Sequence, residues 1–147
     1  MTTPSISVRK AERDDLPRIE SLLEANGLPT DDVAGKLACF RVARADATFV
    51  GVGGVEPHGS DGLLRSVVVT EPYRGRGHGR ALCDALEARA RDDGIETLYL
   101  LTTTAAPFFD RRGYEPVDRE AVPPRIGQTA EFAELCPDSA TCMRKRV

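Results

Sequence analysis

The chain has 147 residues, 41% hydrophobic and 29% charged, the balance of a single soluble domain (1–147) with a core of its own. A formal net charge of -3 argues against general nucleic-acid binding, and no stretch approaches the ~18 apolar residues of a membrane span. Four cysteines without tight pairing suit a reducing compartment, and Met1 to Ile6 carries no basic or apolar leader, so the expected location is the cytoplasm.

In chain order, Ile6 to Lys10 reads as a short strand, Ile6 and Val8 alternating with polar neighbours. Asp14 or Asp15 caps a helix with the buried stripe Leu16, Ile19, Leu22 and Leu23, and Gly27 stops it. Thr30 to Ala38 is a weaker helix, with Val33 and Leu37 on one side. Cys39 to Ala45 and Thr48 to Val55 are strands joined across Asp46-Ala47, an antiparallel hairpin by loop length. Gly51, Gly53 and Gly54 point to a bulge or a close backbone approach in the second strand. Glu56 to Gly62 is a loop by composition.

Leu63 to Arg80 then organises the chain. Val67, Val68 and Val69 form a β-branched run suited to a central strand, ending near Thr70 before the Glu71-Pro72 turn. From Ala81 the periodicity is helical, with Ala81, Leu82, Ala85 and Leu86 on one face. Between them lies Arg74-Gly75-Arg76-Gly77-His78-Gly79. Alternate glycines let backbone N–H groups converge on an anion, and the helix start adds free N–H groups and a positive dipole end. With Arg74, Arg76 and Arg80, this is a phosphate-binding loop in form, and its ligand is expected to carry several phosphates. A nucleotide P-loop is excluded for want of a Lys after the last glycine, and the dinucleotide fingerprint fails because its third glycine position falls on Arg80 or Leu82.

Beyond this helix, Thr97 to Leu101 is a buried strand and Thr102-Thr103-Thr104 lies at its end. Ala105 to Arg112 is a short helix closed by Gly113, and Tyr114 to Asp118 starts another strand. Val122 to Asp138 is an insertion with a helix opened by Pro123-Pro124 and running through Gln128, Phe132 and Leu135, and Thr141 to Lys145 is the last strand.

The loop resembles the acetyl-coenzyme A loop of the GCN5-related N-acetyltransferases (GNAT), Arg/Gln-x-x-Gly-x-Gly/Ala, filled by Arg74, Gly77 and Gly79. The resemblance extends in order from Leu63 to Tyr114. It implies an α/β fold with a mixed, mostly antiparallel central sheet, a splayed parallel strand pair and flanking helices. It also implies acetyl-CoA as co-substrate and a small-molecule amine as acceptor; with charge and composition giving no nucleic acid or membrane partner, no metal is expected and a homodimer is left open. In such a fold the pantetheine arm lies along Val67, Val68 and Val69, and one of their backbone N–H groups, taken as that of Val68, polarises the thioester. The pyrophosphate rests on Arg74, Gly75, Arg76, Gly77, His78, Gly79 and Arg80. Phe108 and Phe109 pack against the arm, Phe109 standing where many relatives carry a Tyr acid, so thiolate release falls to another group or to water. Glu56 is the candidate base, and His58 is a less supported one. Lys36 and Arg65 are the candidate acceptor-binding cations, for an amine carrying a carboxylate or phosphinate-like anion.

Leu98 to Ala105, Arg112-Gly113-Tyr114, Thr129 to Phe132, Leu135-Cys136-Pro137 and Cys142-Met143 look like the acetyltransferases of arsenic-resistance operons. That resemblance implies an amino-acid-like arsenical or phosphinic acceptor. Two other functions compete: arsenite binding by Cys136 and Cys142, and coenzyme binding without catalysis.

Overall fold

The structure is a computed structural model that describes residues 6–129 and 140–147. After β1 (Ser7–Lys10), a capping box between Glu12 and Asp15 leads into α1 (Leu16–Ala25), with Ile19 and Leu23 fully buried one turn apart. Gly27, at φ 68°, ends it as Leu28 N–H reaches back to Leu23 C=O at 2.9 Å. The expected second helix is a 3-10 turn, Ala34–Cys39, broken at Lys36 (φ -122°). Its two apolar anchors are too few to hold a longer α-helix.

β2 (Phe40–Ala45) and β3 (Thr48–His58) join across Asp46-Ala47, with Asp46 at φ 56°. β3 does not stop at Val55. It continues to His58 and turns through Gly59-Ser60 into β4 (Asp61–Val69), so the expected loop 56–62 is the end of a β-hairpin. Pro57 is tolerated because β2 leaves β3 at the Phe40–Gly54 pair, beyond which β3 has no strand on that side among the described residues.

α2 (His78–Asp92) follows the glycine loop, then β5 (Thr97–Thr102), α3 (Ala106–Arg111), β6 (Glu115–Pro116), α4 (Pro124–Gly127) and β7 (Thr141–Arg146). The strands form one seven-stranded sheet, in the order β1-β2-β3-β4-β5-β7-β6. Every neighbouring pair is antiparallel except β4 and β5. Phe132, Leu135 and Cys136 lie outside the described residues.

Helices cover both faces. Ile19 and Leu23 of α1 pack with Val33 on Phe40, Val42, Val52 and Val68. Leu82, Leu86 and Ala90 of α2 pack with Leu98, Leu100, Phe109 and Met143 on the other side. The β3 glycines let this happen: a Cβ on Gly53 would lie 2.6 Å from Leu86 Cδ1, and one on Gly51 would lie 2.8 Å from the Val68 carbonyl oxygen. No helix among the described residues is long and apolar enough to cross a membrane.

Candidate active site

β4 and β5 pair only from Asp61–Thr97 to Leu63–Tyr99, although β4 runs on to Val69 and β5 to Thr102. Beyond Leu63 the two strands part, and a cavity of about 820 Å³ opens between them, lined by both strands, the α1 exit, Arg74, Gly79, Phe108 and Phe109. At the parting point β4 carries a bulge. Val68 faces Val52 and Arg65 faces Gly54, so Ser66 and Val67 together oppose Gly53. Ser66 takes φ 57°, a left-handed conformation that costs a non-glycine residue about 1–2 kcal/mol.

The ladder decides which N–H groups face the cavity. Thr70 N–H donates to Val50 C=O at 2.9 Å, and hydrogen bonding in an antiparallel pair alternates sides at each residue. Val68 N–H therefore also turns toward β3, whereas Val67 and Val69 turn theirs toward the gap. This corrects the choice of Val68: the N–H that can reach a ligand carbonyl belongs to Val67 or Val69. Arg74 agrees with the alternation, because its Nε donates to the gap-facing Val69 C=O at 2.8 Å.

The glycine loop closes one end of the cavity. Gly75 (φ 74°) and Gly77 (φ 87°) take conformations unfavourable to other residues, and Gly77 is the N-cap of the 15-residue α2, whose first-turn N–H groups point out of the helix. A Cβ on Gly79 would lie 3.6 Å from Phe108 Cζ, filling the space between loop and aromatic floor. Arg76 and Arg80 are exposed, and the Arg76 guanidinium carbon lies 6.0 Å from the Tyr73 ring centroid. His78 is buried, with Nδ1 3.1 Å from Tyr73 C=O, so its side chain braces the loop and only its backbone can serve a ligand. Arg74 Nη2 donates to Asn26 Oδ1 at 2.8 Å, tying the loop to the end of α1. Convergent N–H groups, a helix start, exposed arginines and an open strand edge fit a long ligand with a phosphate end and an amide-bearing arm.

Phe109 is buried, edge-on to Phe108 (5.1 Å) and Tyr114 (5.3 Å). The Tyr114 hydroxyl donates to the buried Glu87 at 3.1 Å, and burial holds that phenol well above its ordinary value. Glu87 also accepts from Arg112 (3.1 Å) and Lys145 (2.7 Å), so this network fastens α2 to β7 and to the turn after α3. Tyr99 is buried in the core.

Where the acceptor was expected, Arg65 is fully buried and paired. Its guanidinium takes Asp32 in a two-point grip (2.5 and 2.7 Å), Glu56 at 2.9 Å and Ser66 Oγ at 3.2 Å. Burial pushes the Asp32 carboxyl up, but the Arg65 hydrogen bonds and charge outweigh it and hold the group below its ordinary value. Glu56, expected to face the acceptor as a base, is 2% exposed, lies off the cavity lining and carries Lys36 at 3.1 Å as well as Arg65. Its Oε2 accepts from Arg65, while Oε1 is buried beside Lys36 without a hydrogen bond among the described residues, so Glu56 stands as a support of the guanidinium, shielded from the cavity. Lys36 likewise sits behind Glu56 and not on the lining. His58 Nε2 lies 3.6 Å from Glu56 Oε1. Asp32 and Asn26 were not singled out in the sequence. An arginine in a valine run is the signal that could have found Asp32, since a buried guanidinium needs a carboxylate partner.

Of the expected thiol pair, Cys136 lies outside the described residues. Cys142 is buried, which pushes its thiol up to about 11 and away from the thiolate that binds soft ions.

The model of the acetyltransferase (GNAT) domain family matches residues 36–116, more than half of the chain. The amino-acid acetyltransferase of Ectopseudomonas mendocina (strain ymp) is 44% identical over 62 residues, 42% of this chain and 14% of that protein. The amino-acid acetyltransferase of Pseudomonas syringae pv. syringae is 30% identical over 125 residues, 79% of this chain and 29% of that protein. The chain thus spans under a third of the length of these curated relatives. In fold it is similar to N-acetylglutamate synthase from Neisseria gonorrhoeae complexed with coenzyme A and N-acetyl-glutamate. The TM-score is 0.84 at 19% identity, over 99% of this chain and 36% of that one. It is also similar to Rv2747 from Mycobacterium tuberculosis in complex with CoA, with TM-score 0.81 at 24% identity, over 96% of this chain and 99% of that one. The family match runs through β4, the glycine loop, α2, β5 and α3, the segments that build the open edge, the anion loop and the aromatic floor, and by it the chain belongs to the GNAT acetyltransferase family.

Proposed function

We propose that the chain transfers the acetyl group of acetyl-CoA to the amino group of a small, amino-acid-like acceptor. The observation that carries this reading is the open edge of β4, which ends at the anion loop and shares its cavity with the buried Arg65. Bound acetyl-CoA supplies an activated thioester. The α2 N-terminus and the loop N–H groups hold its pyrophosphate, with Arg76 and Arg80 adding charge. The gap-facing edge of Val67 and Val69 pairs with the arm, and Val67 N–H, beside the bulge, donates to the thioester oxygen as it gains charge.

The acceptor's neutral amine forms the C–N bond, and collapse of the tetrahedral centre breaks the C–S bond. Phe109 has no proton to give, so the sulfur leaves as thiolate and takes its proton from water, as a thiol pKa of about 8.5 permits. Among the described residues the carboxylates beside Arg65 lie off the cavity lining, so the ammonium proton passes to solvent through the cavity mouth, and proximity supplies much of the rate. Support for an amino-acid-like acceptor comes from the amino-acid acetyltransferases among its relatives and from Arg65 on the cavity lining, held by Asp32 behind it. The resemblance over 98–143 to arsenic-operon acetyltransferases extends that class to arsenical or phosphinic amino-acid analogues.

The test is acetyl-CoA turnover, read as free thiol, against amino acids, their phosphinic and arsenical analogues, polyamines and aminoglycosides. Turnover is expected with the first two groups. Robust acetylation of spermidine with none of an amino acid would overturn the acceptor class.

A further inference from the structure

We propose that Asp32 occupies the place of the acceptor's own carboxylate on Arg65, and that binding exchanges one carboxylate for the other. The inference rests on the reading of the acceptor as an amino acid or its analogue. Asp32 grips the guanidinium through both oxygens, Oδ1 to Nη2 and Oδ2 to Nη1, the planar two-point geometry that a free carboxylate also adopts. It comes from the connection between α1 and the 3-10 turn, and Asn26 to Pro29 and Asp31 of that same connection wall the cavity. Arg65 is among the lining residues although its side chain is fully buried, and Asp32, which covers its fork, is off the lining but next in sequence to the lining residue Asp31.

The two carboxylates on Arg65 are not equivalent. Glu56, from β3, has a side chain 3% exposed, and Asp32 has one 16% exposed on an irregular segment. Asp32 is therefore the exchangeable partner, while Glu56 and Ser66 keep the guanidinium aimed. Removing a buried arginine's partner outright is costly, but replacing one anion by another keeps it paired throughout. An amine without a carboxylate cannot complete that exchange and leaves Asp32 in place. Asp32 thereby acts as a specificity device, selecting acceptors by the anion they bring.

The experiment compares wild type with Asp32→Ala, with Asp32→Asn as an isosteric check on folding. Calorimetric titration of sodium acetate into the protein reads the exchange without turnover. Asp32→Ala is expected to bind acetate at least tenfold more tightly than wild type, and KM is expected to fall for an amino acid but not for its primary amide. Equal acetate affinity in wild type and both variants would overturn the proposal, as would a KM that rises equally for acid and amide. Failure of wild type to acetylate any amino acid would instead count against the proposed function, and the acetate titration would still decide the role of Asp32.

Discussion

Replacing Gly79 by alanine is expected to raise stability and lower coenzyme affinity together. Gly79 lies in the first turn of α2 without a positive φ, and an added Cβ meets Phe108 Cζ at 3.6 Å and Val69 Cγ2 at 3.7 Å, ordinary contacts that demand no rearrangement. A compatible Gly→Ala change stabilises by about 0.4–1 kcal/mol through the unfolded chain, so the melting temperature should rise by about 1–4 °C. The same methyl group stands in the cavity wall between the loop and the aromatic floor. It should displace the pyrophosphate from at least one N–H donor, a charge-assisted bond of about 1.5–3 kcal/mol, or roughly a 10- to 150-fold rise in Kd. Gly77→Ala is the control with the opposite sign in stability. Its φ of 87° costs an alanine about 1–2 kcal/mol, partly offset by the same unfolded-chain gain, for a net fall of about 2–4 °C. Scanning calorimetry and isothermal titration with acetyl-CoA measure both quantities. A Gly79→Ala protein that binds acetyl-CoA with unchanged Kd would refute the placement of the pyrophosphate.

Phe109→Tyr should change turnover by no more than a few-fold, and a hundredfold increase in steady-state rate would show that a missing acid limits the reaction. Glu87→Ala should cost about 3 kcal/mol in urea denaturation, because it strips Arg112, Lys145 and the Tyr114 hydroxyl of a shared buried partner; a loss below about 1 kcal/mol would make the network a surface-grade contact. Burial pushes the Cys83 thiol up to about 12, so native Cys83 should resist maleimide at neutral pH and label only on unfolding, as peptide mass spectrometry would show. Asp32 is held below its ordinary 3.8, so its contribution to stability is present above that value and lost as pH falls through the lower folded value. The stability gap between wild type and Asp32→Asn should therefore be steady at neutral pH and shrink under acid, and a gap that widens under acid would contradict the pairing.

The part of the site legible in the sequence is local in the chain. Val67 to Val69, the glycine loop and α2 lie within one stretch, and their chemistry follows from neighbouring residues. The hairpin end at 56–62 was not legible, because Pro57, Gly59 and Gly62 have the composition of a loop, and only the missing β2 neighbour beyond Gly54 makes a proline harmless there. The side on which Val68 spends its N–H depends on register and on the bulge at Ser66, neither of which composition encodes. The burial and partners of Glu56 were hidden for a similar reason. Its partners Lys36 and Arg65 are 20 and 9 residues away in sequence, and Asp32, which completes the cluster, is 33 residues from Arg65. The Glu87 network joins α2 to β7 across 58 residues and left no pattern to read.

The central claim is that the open β4 edge and the glycine loop serve acetyl transfer to an amino-acid-like amine. The most direct measurement is mass-spectrometric detection of the N-acetylated product, with thiol release followed in parallel, when the protein is given acetyl-CoA and a mixture of amino acids. The account predicts thiol release that depends on the amino acid, matched by an equal amount of N-acetylated product. Thiol release no faster than hydrolysis without any amine, and no acetylated product, would contradict it.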